Sequence, residues 1–122
     1  MKAADYRKRA TSEHSLQTMV LEHLRLYAVK EAFWFAIPNA GKRSFAVATR
    51  LRREGMQAGV ADLCVMLSGG RTIWLELKAG KGRQTPKQKG FQEICNRLSH
   101  VYILVRSLDE AIENLKAFGA LR

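Results

Sequence analysis

The run Ala61-Asp62-Leu63-Cys64-Val65-Met66-Leu67 is nearly all apolar, and after Ser68-Gly69-Gly70 a second strand-like run extends from Thr72 to Lys78. A glycine loop that short joins the two as an antiparallel hairpin. The first run has no polar face to offer solvent, so it belongs in the middle of a sheet covered on both sides. With helical patterns before and after the hairpin, the chain reads as α/β. In the second run, alternation puts Ile73, Leu75 and Leu77 on one face and Trp74, Glu76 and Lys78 on the other.

Register decides whether the acidic residues of the two runs meet. If Leu67 pairs with Arg71 across a loop of Ser68, Gly69 and Gly70, Asp62 lies opposite Glu76 on the same face. A two-residue Gly-Gly loop would pair Asp62 with Leu77 and turn it to the wrong face. Carboxylates and a lysine are costly among residues this apolar, so their convergence predicts a compensating metal ion between the carboxylates.

The flanking elements follow from capping and periodicity. Thr11-Ser12 predict a helix start, with Glu13 in the first turn and Leu16, Met19, Val20, Leu24 and Tyr27 forming an apolar stripe. Ala32–Ile37 reads as a first strand ended by Pro38-Asn39, and a short helix is expected near residues 45 to 54. Thr85-Pro86-Lys87-Gln88 combines an N-cap, a first-turn proline and a capping-box glutamine, opening a helix that carries Phe91, Ile94, Cys95 and Leu98. Val101–Val105 then forms a strand parallel to the third, the helix being its crossover. Ser107 and Glu110 cap a last helix with Leu108, Ile112, Leu115 and Phe118 directed inward. The order is α-β-(α)-β-β-α-β-α, with a mixed four-stranded sheet flanked by helices.

At 122 residues the chain, 1–122, has the size of one domain, with a frayed basic N-terminus over residues 1–10. Its formal net charge of +10 predicts a polyanionic partner, most simply nucleic acid, with an acidic membrane surface as the rival. No membrane-span pattern or signal-peptide pattern is present. Cys64 and Cys95 lack zinc-type spacing and read as two buried thiols of a cytoplasmic protein. His14, His23 and His100 have no partner at metal spacing, and Gly41-Lys42 lacks the remaining residues of a phosphate-binding P-loop.

Two carboxylates on adjacent strands can hold a hard cation such as Mg²⁺ through oxygen ligands. A cation there polarises a phosphate and lowers the pKa of a bound water. Lys78, two residues after Glu76, can orient or deprotonate that water, or stabilise transition-state charge. Glu13 continues the stripe of the first helix, seven residues before Val20, and can join the cluster. The basic clusters at 42 to 53 (Lys42, Arg43, Arg50, Arg52, Arg53) and 81 to 89 (Lys81, Arg83, Lys87, Lys89) suit phosphate contacts.

These pieces resemble the PD-(D/E)xK nuclease superfamily, and within it the virus-type replication-repair nuclease (VRR-Nuc) domain. The matching residues are Ser12-Glu13 with Gln17, Asn39-Ala40-Gly41, Gly59-Val60-Ala61-Asp62-Leu63, Leu75-Glu76-Leu77-Lys78 and Thr85-Pro86-Lys87-Gln88. Ala61 stands where the superfamily name implies proline. The resemblance implies a restriction-endonuclease-like core and Mg²⁺ dependence, with Mn²⁺ as substitute. It implies Asp62, Glu76, Glu13 and the backbone carbonyl of Leu77 as metal ligands. It also implies Lys78 as catalytic lysine and Gln88 as a water- or phosphate-positioning side chain. The expected activity is hydrolysis of DNA phosphodiester bonds, leaving 5′-phosphate and 3′-hydroxyl ends. Holliday-junction or other branched DNA, a homodimer and a phage setting are what small stand-alone members suggest.

Plainer readings stand beside these. Asp62 and Glu76 can be strand-end residues paired with arginines, and Lys78 a solvated strand-end lysine. Glu13 is favoured in any first helical turn. Gln88 is equally explained by the capping box. At the level of the whole chain, the alternatives are a non-catalytic nucleic-acid-binding module on a nuclease-like fold, or a subunit that needs a partner.

Overall fold

A computed structural model describes residues 12–38 and 44–122. The expected basic tail and the segment Asn39, Ala40, Gly41, Lys42 and Arg43 lie outside the described residues. The elements are α1 (Glu13–Tyr27), β1 (Phe33–Ala36), α2 (Phe45–Arg53), β2 (Leu63–Leu67), β3 (Arg71–Leu77), α3 (Pro86–Arg97), β4 (Val101–Val105) and α4 (Leu108–Ala117). They form one mixed sheet in the order β1-β2-β3-β4, with β3 and β4 parallel and the other pairs antiparallel.

Each helix begins where a side chain takes an otherwise unpaired amide. Ser12 accepts from Ser15 N–H, Ser44 from Val47, Thr85 from Gln88 and Ser107 from Glu110. Leu16, Val20 and Leu24 of α1 and Leu108, Ala111 and Leu115 of α4 bury one sheet face, against Leu63, Val65, Leu67, Ile73, Leu75, Leu77, Ile103 and Val105. The opposite face carries α3, whose Phe91 meets Trp74 edge-on at 5.4 Å and Tyr102 at 6.1 Å between ring centroids.

Some expected core positions face outward. Tyr27 and Phe118 sit at helix ends beyond the edge of the core and are exposed. On α3, Cys95 is buried while Ile94 and Leu98 are exposed, so this helix covers the sheet with a narrower stripe than its apolar residues suggest. The run around β2 is not covered on both sides throughout. Met66 is exposed on the α3 side, beside its cross-strand neighbour Phe33, which is also exposed. Cys64 and Cys95 are buried free thiols, as expected.

Candidate active site

Leu67 pairs with Arg71 across a 3₁₀ turn formed by Ser68, Gly69 and Gly70. Gly69 and Gly70 both have positive φ, which closes the odd-length loop without side-chain strain. Regular pairing of β2 with β3 runs back to Leu63 opposite Leu75. One step further, Asp62 comes opposite Glu76 and shares its face.

At that step the ladder stops being backbone-to-backbone. The Asp62 carbonyl accepts from Ile37 N–H at 2.9 Å, extending the pairing with β1. Its carboxylate Oδ2 accepts from Leu77 N–H at 2.8 Å. The Asp62 side chain thereby takes an amide on the β2-facing edge of β3 and is held in a fixed position there.

Glu76 is 1% exposed, and its carboxylate is held by neutral donors. The Gln88 amide has a defined orientation: Oε1 accepts from Thr85 N–H at 2.9 Å, which leaves Nε2 to donate to Glu76 Oε1 at 3.4 Å. Gln88 thus closes the capping box and touches the carboxylate at once. The Tyr102 hydroxyl donates to Glu76 Oε2 at 3.5 Å and accepts from Gln84 Nε2 at 3.0 Å, while that amide also donates to Gln92 Oε1 at 3.0 Å. Burial, then the hydrogen bond and charge of Asp62, push the Glu76 carboxyl up to about 8, while Lys78 pulls it down.

Lys78 is buried and places Nζ 3.7 Å from Glu13 Oε1. Its N–H donates to Val105 O at 3.0 Å, so β4 fixes the backbone from which the side chain projects. The loop that follows is tied down by Arg106, which donates to the carbonyls of Gly80 and Gly82 at 3.2 and 2.6 Å. Gly82 passes close to both ions, a Cβ there lying 3.7 Å from Lys78 Cδ and 3.8 Å from Glu13 Oε1.

Asp62, Glu76, Lys78, Gln88 and Glu13 are therefore brought to one place. Among the described ion pairs, neither Asp62 nor Glu76 is matched with an arginine, and Lys78 is not a solvated strand-end lysine. Glu13 lies half-exposed at the Lys78 end, and no three metal-ligating side chains cluster among the described residues. The donor set is two carboxylates of all-oxygen character, one buried, in mutual repulsion. That suits a hard divalent cation.

Tyr102, Gln84 and Arg106 were not singled out from the sequence. Tyr102 reaches the site because β3 and β4 pair in parallel with Trp74 opposite Tyr102 and Glu76 opposite Leu104. The register of a crossover connection leaves no local signal comparable to a hairpin loop.

A cleft of about 770 Å³ opens beside Asp62. One wall is the face of α2 carrying Phe45, Ala48 and Arg52; the other is the first turn of α3 with Lys87 and Gln88; Asp62 lines it as well. Of the described basic residues expected to contact phosphate, Arg50, Arg52, Arg53, Lys81, Arg83, Lys87 and Lys89 are all exposed, and Arg52 and Lys87 border this cleft.

Fold and site together define an α/β core with an acidic pair at the open end of its central hairpin. Solved structures with this fold include one described as a VRR_NUC domain protein, with a TM-score of 0.72 at 20% identity, covering 89% of this chain and 88% of the other. A second, described as a VRR_NUC domain, gives a TM-score of 0.63 at 18% identity, covering 89% of this chain and 99% of its own. The chain has the VRR-Nuc domain fold. No family model matches the sequence, and no curated protein matches it.

Proposed function

We propose that the protein is a metal-dependent endonuclease that hydrolyses DNA phosphodiester bonds, acting on branched DNA such as a Holliday junction. The observation that carries this reading is Asp62 set against the buried Glu76, with the buried Lys78 beside them, in a chain of net charge +10. Asp62, Glu76 and the Leu77 carbonyl would hold Mg²⁺ or Mn²⁺; strand alternation aims that carbonyl along the same β2-facing edge as the Leu77 N–H. A cation bound there would supply Lewis acidity to the scissile phosphate and lower the pKa of a bound water.

The chain's own residues do the rest. Lys78 Nζ offers a positive charge to the phosphoryl oxygens, and Glu13 holds the ammonium in place. Gln88 and Tyr102 keep the Glu76 carboxylate from rotating. Exposed lysines and arginines bind the DNA backbone without reading bases. Water attacks, the 3′-oxygen leaves, and the products carry 5′-phosphate and 3′-hydroxyl ends. A homodimer acting on two strands of one junction belongs to the same reading, and the molar mass in solution checks it.

The test is cleavage of labelled four-way junction, flap and linear duplex with Mg²⁺, Mn²⁺ or EDTA, using the parent, Glu76→Ala and Lys78→Ala. Metal-dependent cutting, lost in both variants, is the expected result. If no substrate is cut while every variant binds DNA with a steep salt dependence, the chain is a binding module on a nuclease fold.

Tyr102→Phe removes the hydroxyl between Glu76 and Gln84. Outer partners of metal ligands are worth about 10- to 100-fold in metal affinity or activity. The variant should therefore need about tenfold more Mg²⁺ for half-maximal cleavage, with saturating rates close to the parent. An unchanged Mg²⁺ titration would show that Tyr102 does not position the ligand.

A further inference from the structure

We propose that the cleft between α2 and the first turn of α3 is a subsite for one unpaired nucleobase of the DNA, next to the phosphate served by Asp62 and Glu76. The position of that phosphate rests on the nuclease reading above; the cleft and its chemistry do not.

The cavity, about 770 Å³, falls within the roughly 300–1,000 Å³ range of small-ligand sites and has room for one nucleotide. Its walls combine two features that a nucleotide needs together. Phe45, Met56 and Val60 are apolar, while Arg52 on α2 and Lys87 on α3 supply cations to the lining. Phe45 is 83% exposed although it heads α2 and lines the cavity. An aromatic ring that open on a cavity lining offers its face for stacking.

Phe45, Ala48 and Arg52 recur at helical spacing, so one face of α2 presents the ring and the guanidinium to the same space. α2 has no buried residue at all, so this face is not committed to the core. The lining includes Asp62, so an occupant of the cleft lies beside that carboxylate. A peptide with an apolar anchor would satisfy Phe45 and Met56 but not the two cations. A polyanion carrying flat apolar rings satisfies all of them. Bases stacked inside a continuous duplex cannot enter a cavity of this kind, so an occupant must be unpaired, as at a flap or the centre of a junction. The subsite would make the enzyme select DNA by the presence of one free base near the cut.

The experiment measures binding in EDTA, where cleavage plays no part, by fluorescence anisotropy of three labelled DNAs. These are a linear duplex, a flap with an unpaired thymidine at its base, and the same flap with an abasic residue there. Phe45→Ala, Phe45→Leu and Phe45→Trp are compared with the parent; the ring is exposed, so the substitutions do not disturb the core.

Loss of one aromatic–base stack corresponds to about a tenfold weaker Kd. Phe45→Ala and Phe45→Leu should bind the flap about tenfold more weakly and the duplex as the parent does. Phe45→Trp should restore flap binding. Removing the base should weaken the parent by the same factor and add nothing to Phe45→Ala. The proposal is overturned if Phe45→Ala loses equally on duplex and flap, if it loses on neither, if the missing base has no effect, or if Phe45→Leu binds as the parent does. It also falls if the chain binds none of the three DNAs. Base-dependent binding without any metal-dependent cutting leaves the subsite standing and removes the nuclease reading.

Discussion

In Glu76→Gln, the proposed metal-dependent cleavage falls by about 10²- to 10³-fold, while the metal-free protein becomes more stable than the parent at pH 8. The two effects have one cause. Burial and the neighbouring Asp62 raise the Glu76 pKa from its ordinary 4.5 to about 8. Folded protein keeps a proton that the unfolded chain gives up near 4.5. Its contribution to stability is complete below about pH 4.5, declines as pH rises, and is lost by about pH 8. The full span is on the order of 3–5 kcal/mol.

Glutamine keeps the shape, carries no charge and has nothing to ionise, so this decline disappears. Thermal melts in EDTA at pH 5, 6, 7 and 8 check it: the parent Tm falls across the series relative to that of Glu76→Gln. Adding Mg²⁺ to the parent at pH 8 should recover the lost stability, because a ligand that binds only the folded state stabilises it by mass action. Parallel pH profiles for the two proteins would mean that Glu76 carries no such strain.

Gly59→Ala should destabilise the protein by about 3 kcal/mol or more and remove activity with it. Gly59 has φ +88°, a conformation alanine adopts only under strain. A Cβ there would lie 2.3 Å from the Lys87 carbonyl oxygen, 2.4 Å from its carbon and 2.9 Å from Gln88 N. All three are backbone atoms in the first turn of α3, so no side chain can swing away. Either the segment leading to Asp62 or the turn bearing Gln88 must move, and those two residues form opposite sides of the acidic site.

Gly80→Ala is the matched control. Its φ is +54° and nothing lies within 4 Å of a Cβ there, so it costs only the left-handed backbone, about 1–2 kcal/mol. Chemical denaturation of both variants separates the clash from the backbone term, and equal losses would contradict the close approach.

The sites that were legible in the sequence are those set by local rules. The hairpin itself is one of them; of the two loop lengths the sequence allows, the observed three-residue loop is the one whose parity sets Asp62 opposite Glu76. The caps at Ser12, Thr85 and Ser107 are local hydrogen bonds between a side chain and an amide three residues on. Gln88 had two competing explanations in the sequence. In the structure both hold, because an amide has two ends and the capping box takes only one.

By itself, then, the sequence determined the order of elements, the antiparallel hairpin of β2 with β3 and the shared face of Glu76 and Lys78, because strand alternation and a short loop require them; it allowed two loop lengths, and the structure selects the one that brings Asp62 to Glu76. Only the tertiary structure decided that Glu76 is buried and that Tyr102 and Gln84 back it. The same holds for the pairing of Lys78 with Glu13 and for Gly59 lying against the turn that carries Gln88. Each of those contacts joins elements separated by a crossover or a long loop, and their relative placement is set by how α1, α3 and β4 pack on the sheet. Packing of that kind is a sum of many weak, non-directional contacts, and no short stretch of residues encodes it.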